Sequence, residues 1–444
     1  MGNYMEKYFG KYTEEDLKQG RETLAGGSVG KSEDLLIVDQ TGATFTDQHG
    51  KEYIDCTSQA WSLNIGGGRQ EIIDVVSEQV QHTMHVRSGY GTIPKFLLSK
   101  RLADIAPGNL KKVSYCLHGS VANEGAMKLA MRNKPNRMYF LTPWRGFAGR
   151  TLATIAMTWP HPNNQFLPFM GHAVRFPNAY CYRCPFENHY PGCNFECARF
   201  LRKTIENSVD GKPIAILMEP MQAAGGMITY PDGYLQEIRK ICDELDILLI
   251  FDEIQTAFGR MGRMFVSELY GVLPDIMTFG KAIGGGFPLA GSLHRTDLVD
   301  FGSQDHGFTF ASFPVSMAAG IVTLGILQNE NLPERSERMG NLFLAGLEEL
   351  KNKYELLGDV RGHGLMIGIE LVKNKKTKEP ALDETGMFIE EGTKRGVLFG
   401  RSTYPMMSNV VKIKPPLVIS EAQVEQVLKV FKETTEAVSQ AYHL

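Results

Sequence analysis

Two residues of this 444-residue chain are best suited to chemistry. One is a lysine between glycine-bearing turns, and the other is an aspartate after an apolar stretch. Lys281 follows Gly280 and precedes the run 284–286, where glycines let the backbone approach a ligand closely. Asp252 stands 29 positions upstream, directly after the apolar stretch 247–251. An isolated lysine is usually a solvated surface charge. Pyridoxal phosphate chemistry, however, requires an amine that forms an imine and a carboxylate that keeps a pyridine nitrogen protonated. The pair therefore predicts a pyridoxal phosphate site.

A short glycine–serine turn could hold the phosphate of such a cofactor. Gly119 and Ser120 follow the strand pattern 113–117 and open a helical pattern. The first N–H groups of a helix are unpaired and attract a phosphate. Taken alone, Ser120 is more simply explained as an ordinary N-cap. Together with Lys281 and Asp252, the turn favours phosphate binding.

Two more side chains are candidates for the same ligand. Thr309 is a second hydroxyl that could reach a phosphate, within the segment 307–310. Phe147 follows the strand pattern 138–141 and could stack on a pyridine ring. A place in the core is an equal alternative for Phe147 from the sequence alone.

Four of the seven cysteines form a cluster with the spacing C-x2-C-x8-C-x3-C. In a reducing compartment this spacing indicates a metal clip rather than two disulfides. A bound metal such as zinc would be structural, because four thiolates leave no open position for a substrate. Free thiols and disulfides remain open as alternatives. The cluster comprises Cys181, Cys184, Cys193 and Cys197.

The composition describes a globular chain with no strong attraction to polyanions. Hydrophobic residues make up 43% and charged residues 22%, and the formal net charge is −3. We therefore expect no nucleic-acid partner. There is no run of about 18 apolar residues and no apolar signal core at the N-terminus. The expectation is a cytoplasmic protein without a membrane partner.

Strand and helix patterns alternate through the middle of the chain. This rhythm predicts an α/β fold in which a mainly parallel sheet has helices on both faces. Ligands bind beyond the carboxyl ends of such strands. The strands are expected at 113–117, 138–141, 215–218 and 247–251, and helices at 121–131 and 234–244. Beyond about residue 320 the pattern changes to that of a separate α+β domain, with helices at 316–328, 335–350 and 421–441 and strands at 364–372 and 410–413.

Five ordered motifs resemble those of class III pyridoxal-phosphate-dependent aminotransferases, the group that holds ornithine, 4-aminobutyrate and ω-amino-acid transaminases. The segment 252–262 resembles the family's D-E-V-Q-T-G-F-G-R-T-G, and 219–222 resembles E-P-V-Q. Gly280-Lys281 and the glycines 284–286 resemble its lysine segment, and 360–366 resembles V-R-G-x-G-L-M. The resemblance covers nearly the whole chain.

The resemblance implies a role for each matching residue. Lys281 would carry the cofactor as an internal aldimine and would then move a proton between the substrate Cα and C4′ of the cofactor. The transfer reaction would pass through a pyridoxamine intermediate. The cofactor-binding set would comprise Gly119, Ser120 and Thr309 for the phosphate, Phe147 and Gln255 on the ring, Asp252 at its nitrogen and Glu219 nearby. Thr309 would come from the second subunit of a homodimer. A large domain of fold type I is expected over 61–320, and a small domain from 1–60 and 321–444.

The departures from the family pattern concern the substrate. Glutamate-using members carry a glutamate and an arginine that pair with each other and separate to admit a carboxylate. Their positions hold Ala224 and Lys412. Carboxylate recognition would then use Lys412, Arg401 or Arg150, although a residue of each type is more often a surface charge. Trp61 resembles an aromatic wall that faces the amine in pyruvate-dependent ω-transaminases.

The resemblance implies transfer of an amino group from an amine or amino acid to a 2-oxo acid. A racemase or epimerase is an alternative on the same scaffold, since it needs no acceptor, and an amine lyase is another. A binding protein on an inactive scaffold is disfavoured, because Lys281 and Asp252 are both intact.

Overall fold

The computed structural model describes residues 7, 10–24, 35–159, 172–402 and 407–444. Parts of the predicted N-terminal segment, at 1–6, 8–9 and 25–34, lie outside this range. The described residues form an α/β fold built on two sheets. Thus the predicted fold class is confirmed, whereas the three domain boundaries remain a prediction.

The larger sheet has a parallel body and an antiparallel edge. The strand order is β4-β10-β9-β8-β7-β5-β6, in which β10 runs antiparallel to both β4 and β9. The remaining neighbours are parallel. Its strands are β4 (Leu110–Cys116), β5 (Phe140–Pro143), β6 (Ala173–Phe176), β7 (Ala215–Met218), β8 (Leu248–Asp252), β9 (Ile276–Phe279) and β10 (Ala290–Arg295). The parallel strands β5, β7, β8 and β9 are buried along their length, as near-continuous apolar runs require.

The smaller sheet joins the two ends of the chain. Its order is β1-β2-β3-β14-β15-β12-β11, with β13 attached to β12, and β3 pairs with β14 in parallel. The strands are β1 (Ile37–Thr41), β2 (Thr44–Asp47), β3 (Glu52–Cys56), β11 (Leu357–His363), β12 (Met366–Asn374), β13 (Glu379–Pro380), β14 (Val397–Arg401) and β15 (Val410–Ile413). This sheet is the core of the predicted α+β part.

The observed helices agree closely with the helical segments predicted from the sequence at 121–131, 234–244, 316–328, 335–350 and 421–441. The described α-helices are α1 (Glu14–Thr23), α2 (Gln70–His82), α3 (Ile93–Ile105), α4 (Gly119–Asn133), α5 (Leu152–Met157), α6 (Glu196–Ser208), α7 (Tyr234–Leu245), α8 (Val266–Tyr270), α9 (Pro314–Asn329), α10 (Leu332–Lys353), α11 (Leu382–Lys394) and α12 (Glu421–Tyr442). Within the described part of the chain, none is long and apolar enough to cross a membrane.

A left-handed turn between β3 and α2 carries one of the predicted substrate residues. Four consecutive residues, Ser58 to Trp61, have φ between 45° and 68°. Each such residue costs roughly 1–2 kcal/mol when it is not glycine, so the turn needs support from its surroundings.

The buried guanidinium of Arg260 provides that support. It donates to Ser58 Oγ at 2.9 Å and Asn64 Oδ1 at 2.6 Å on one side. On the other side it donates to the carbonyl oxygens of Leu365 at 3.0 Å and Pro415 at 2.5 Å. Arg260 therefore ties the left-handed turn to the C-terminal part of the chain.

Replacement of this clamp is predicted to destabilise the fold. Arg260→Met should lower the free energy of unfolding by about 3 kcal/mol, because four buried acceptors lose their donor. Arg263→Met is the matched control, since Arg263 is half-exposed and pairs with Glu337 on the surface; its effect should stay below about 1 kcal/mol. Urea unfolding of both variants measures the difference. Equal losses would contradict the clamp.

Candidate functional site

A cavity of about 430 Å3 opens at the carboxyl ends of the strands of the larger sheet. It collects most of the residues that the sequence predicted for a cofactor, although they are up to 162 positions apart. Its lining includes Gly119, Ser120, Phe147, Arg150, Glu219, Asp252, Gln255 and Lys281. Chain topology alone brings them together, as expected for strand ends in a parallel sheet.

Lys281 presents its amine to this cavity from a tight turn. The residue begins the short 3-10 segment Lys281–Gly284 and has a left-handed φ of 50°. Burial lowers the pKa of Lys281 to about 8, and the charges of Asp252 and Glu219 act in the opposite direction. A substantial part of this amine is therefore neutral near physiological pH, which nucleophilic and base chemistry both require.

Asp252 ends β8 as a buried carboxylate held by two donors. Asn123 Nδ2 donates to Asp252 Oδ2 at 2.7 Å, and the backbone N–H of Ile254 donates to Oδ1 at 3.0 Å. Thr278 Oγ1 in turn donates to Asn123 Oδ1 at 2.8 Å, which orients the amide. Burial raises the pKa of Asp252, and these hydrogen bonds lower it. The carboxylate is fixed in place before any ligand arrives.

Glu219 is a second buried acid, and it stands close to Asp252. Its carboxylate accepts hydrogen bonds from the backbone N–H groups of Phe147 at 3.0 Å and Ala223 at 3.1 Å. Burial raises the pKa of Glu219 to about 8, with the charge of Asp252 as the next cause. Near pH 7 it is therefore mainly a neutral acid that fixes the loop carrying Phe147.

The predicted phosphate turn opens a full-length helix. Gly119 is the first residue of the 15-residue α4, so the unpaired N–H groups of its first turn face the cavity. The Ser120 Oγ accepts a hydrogen bond from the backbone N–H of Arg150 at 3.1 Å. Gly149 lies against Ser120, and a Cβ there would clash with the serine and with Thr154. The glycine therefore keeps the phosphate side of the cavity open.

The residues present fit pyridoxal phosphate. The cavity combines an amine, a preset carboxylate, a helix N-terminus and an aromatic side chain. Among the described residues, Gln255 Oε1 is buried and has no hydrogen-bond partner, so it is free to accept from a donor group of a ligand.

Trp61 and Lys412 lie next to one another beside the cavity. The Trp61 ring centroid is 5.8 Å from Lys281 Nζ, 5.8 Å from Lys412 Nζ and 3.6 Å from Lys414 Nζ. Among the described residues Lys412 makes neither a hydrogen bond nor an ion pair, although only 2% of it is exposed. Burial lowers the pKa of Lys412 to about 7.

The other two carboxylate candidates differ in their surroundings. Arg150 lines the cavity but is exposed, with its guanidinium 5.4 Å from the Phe147 ring centroid. Arg401 is engaged elsewhere, because it donates to the carbonyl oxygens of Ser408 at 2.6 Å and Leu382 at 2.9 Å. Thr309 is exposed and does not line the cavity of its own chain.

The predicted structural zinc is not supported. Cys181, Cys184, Cys193 and Cys197 do line one narrow cavity of about 20 Å3. Yet across the described ranges no group of three or more histidine, cysteine or acidic side chains is arranged to hold a metal ion. Burial raises the pKa of Cys181 to about 11 and that of Cys197 to about 12. In the absence of a metal, burial therefore favours the protonated thiol at both positions.

Two polar residues of the region were missed by sequence reasoning. Asn123 looked like an interior residue of a helix, and Arg145 looked like a loop charge after a strand. Their contacts in the folded structure place both residues in this region. Asn123 donates to Asp252, and the Arg145 guanidinium lies 4.8 Å from the Tyr180 ring centroid. No local spacing could have indicated either contact.

Comparisons with known proteins find relatives over most of the chain. Residues 28–435 match the family model "Aminotransferase class-III". A leucine/methionine racemase of Thermococcus litoralis is 33% identical over 400 residues, covering 88% of each chain. An acetylornithine aminotransferase of Methanosarcina acetivorans is 34% identical over 400 residues, covering 90% of this chain and 91% of the relative.

The structural likeness is equally extensive. A thermostable (S)-enantioselective ω-transaminase from Thermomicrobium roseum matches with a TM-score of 0.89 and 28% identity, covering 96% of this chain and 99% of that one. The architecture is therefore that of fold type I, as the sequence predicted. With the family match spanning almost the whole sequence, the chain belongs to the class III aminotransferases.

Proposed function

We propose that this enzyme transfers an amino group from an amine or amino acid to a 2-oxo acid, with pyridoxal phosphate as its cofactor. The observation that carries the proposal is the convergence of Lys281 and Asp252 on one cavity that also receives the N-terminus of α4. When bound, the cofactor supplies an aldehyde that exchanges amines and a ring that accepts electrons from the substrate.

The roles of the chain's own residues follow from their surroundings. Lys281 would hold the cofactor and, once released, move a proton at the substrate Cα through its neutral amine. Asp252 would hold a proton on the ring nitrogen, and Gly119 and Ser120 would bind the phosphate. Phe147 would stack on the ring, in an orientation that the neutral Glu219 supports through the backbone hydrogen bond. Gln255 would contact the phenolic oxygen of the ring.

The alternatives are less well supported. The family match and the transaminase structures favour amino-group transfer, although one relative is a leucine/methionine racemase. Among the substrate candidates, we propose Trp61 as a wall of the pocket and Lys412 as a carboxylate ligand, because Lys412 is the buried cation without a partner among the described residues. Arg401 is already occupied by backbone carbonyls.

We also propose a homodimer that shares its active sites. An exposed apolar surface runs along α3, where Ile93 is 76% and Phe96 64% exposed. The loop with Thr309 adjoins it, since the His85 and Phe310 ring centroids are 4.6 Å apart. A symmetric contact through this surface would carry each Thr309 to the partner. A cytoplasmic location accords with seven free cysteines.

Covalent attachment of the cofactor tests the central assignment. Borohydride treatment of the enzyme with pyridoxal phosphate should leave the cofactor mass on the peptide that contains Lys281, and Lys281→Ala should carry none. Because only the neutral amine reacts, the attachment rate should rise with pH through about 8. The cofactor's visible absorption monitors the rate. Labelling of another lysine in the wild-type enzyme would refute the assignment.

The two buried acids should respond differently to neutralisation. Asp252→Asn should slow the reaction with amines by about 100-fold or more, because a fixed charge on the ring nitrogen is lost. Glu219→Gln should cost less than about 10-fold at pH 7, because Glu219 is mainly protonated there. Single-turnover absorption kinetics at pH 7 compare the two. A near-normal rate in Asp252→Asn would rule out its pairing with the ring.

Disruption of the apolar surface should separate the subunits. Phe96→Asp places a charge in the proposed contact and should yield a monomer with weakened cofactor binding, since Thr309 of a second subunit is lost. Leu273→Asp is the control, because Leu273 is 48% exposed but lies outside this surface. Sedimentation velocity gives the oligomeric state. A monomeric wild-type enzyme would overturn the proposal.

A further inference from the structure

The loop that carries Thr309 is anchored to α4, the helix whose first residues face the cofactor cavity. Thr309 is exposed and lies in a turn, in which the backbone N–H of Ala311 donates to the carbonyl oxygen of Phe308 at 3.2 Å. A side chain that binds a ligand has to be held close to one position by the residues around it. Since this turn is exposed, its position depends on the residues that precede it.

His306, three residues before Thr309, is enclosed by two aromatic rings and the backbone of α4. Its ring stacks on Phe301, with centroids 5.4 Å apart and an interplanar angle of 18°, and meets the Phe308 ring edge-on at 4.8 Å. A Cβ added to Gly125 of α4 would lie 2.5 Å from His306 Nε2, so the ring packs directly on the helix backbone. Burial lowers the pKa of His306 to about 4. The side chain is therefore a neutral aromatic wedge at physiological pH.

Two cations of α4 hold the residue just before this wedge. Lys128 Nζ donates to the carbonyl oxygen of Asp305 at 3.0 Å, and Arg132 pairs with the Asp305 carboxylate at 3.0 Å. Gly125, Lys128 and Arg132 are spaced three and four apart, which places them on one face of the helix. The ion pair is about 40% exposed and contributes little by itself. The packing of His306 on this face is therefore the firmer contact.

Phe308 connects the anchor to Thr309. Its ring contacts His306, and its carbonyl oxygen begins the turn in which Thr309 lies. Without the His306 ring, Phe308 would lose the surface that fixes its orientation, and the turn could shift. A displacement of about 1 Å is enough to lose a hydrogen bond to a ligand.

We propose that His306 is a positioning residue that holds Thr309 in place for the cofactor phosphate of the partner subunit. The inference rests on the proposed homodimer and deepens its shared site. It gives α4 two tasks: the N-terminus of the helix faces the cavity of its own chain, and the face with Gly125 supports the loop that serves the other chain.

The experiment compares pyridoxal phosphate with pyridoxal, which lacks the phosphate, in titrations of the cofactor-free full-length enzyme followed by visible absorption. His306→Ala and Thr309→Ala should each raise the dissociation constant of pyridoxal phosphate about 10-fold or more, because a hydrogen bond to a charged group is weakened or lost. The constants for pyridoxal should stay within about twofold. Because His306 acts through Thr309, the double variant should bind pyridoxal phosphate no more weakly than Thr309→Ala does.

A substitution on the helix reaches the same ring from the other side. Gly125→Ala should displace His306 and weaken the binding of pyridoxal phosphate about 10-fold, although alanine is the better helix former. Gly20→Ala in α1 is the matched control, because a Cβ there would meet nothing within 4 Å. It should leave both dissociation constants unchanged.

Mixed dimers show in which subunit His306 acts. Lys281→Ala in one subunit leaves a single site that can bind the cofactor covalently, and the visible absorption then reports that site alone. His306→Ala should weaken pyridoxal phosphate binding when it lies in the subunit with Lys281→Ala, since that subunit supplies Thr309 to the remaining site. In the other subunit it should change binding by less than about twofold.

The positioning role is overturned by any of three results. These are equal losses for pyridoxal and pyridoxal phosphate, normal binding in both His306→Ala and Gly125→Ala, and a loss confined to the mixed dimer whose intact Lys281 shares a subunit with His306→Ala. Normal binding in Thr309→Ala would end the shared site together with this inference. Attachment of the cofactor at Lys281 would still stand in each of these cases, whereas its failure in the wild-type enzyme contradicts the proposed function itself.

Discussion

The site depends on one constraint: the amine of Lys281 is buried away from water, close to the buried acids Asp252 and Glu219. Desolvation alone would make Lys281 a neutral amine with little control over its protons. The charge of Asp252 is the main effect that opposes desolvation, and the pKa of Lys281 lies at about 8 as a result. The sheet provides this balance, because β7, β8 and β9 end side by side and deliver all three groups to one cavity.

The two acids have different tasks because their donors differ. Asp252 accepts from the Asn123 amide and from the backbone N–H of Ile254 in the turn after β8, and both donors favour its charged form. Both carboxyl oxygens of Glu219 accept hydrogen bonds from backbone N–H groups. Burial raises its pKa to about 8. Asp252 is therefore the acid that we propose for the cofactor, and Glu219 maintains the loop that carries Phe147.

The substrate side of the cavity depends on a second set of long-range contacts. Arg260 and Lys414 hold the left-handed turn from opposite sides, through Ser58 and through the carbonyl oxygen of Thr57 at 2.7 Å. The turn sets the Trp61 ring between three lysines. Since the smaller sheet contributes Lys412 and the adjoining Lys414, the surroundings of Trp61 are complete only when the two ends of the chain have assembled.

The sequence by itself determined the lysine, its aspartate partner, the phosphate turn and the strands β7, β8 and β15, because these rest on local apolar runs and ordered motifs. It did not predict β6, β9, β10, β11, β13 or β14, whose positions are fixed by their neighbours in the sheet rather than by a pattern of their own. Only the tertiary structure decided the protonation and the partners: that burial raises the pKa of Glu219 to about 8, that Arg401 is engaged by backbone carbonyls, and that Asn123 holds Asp252. These properties depend on burial and on contacts between residues far apart in the chain, and no local spacing encodes them.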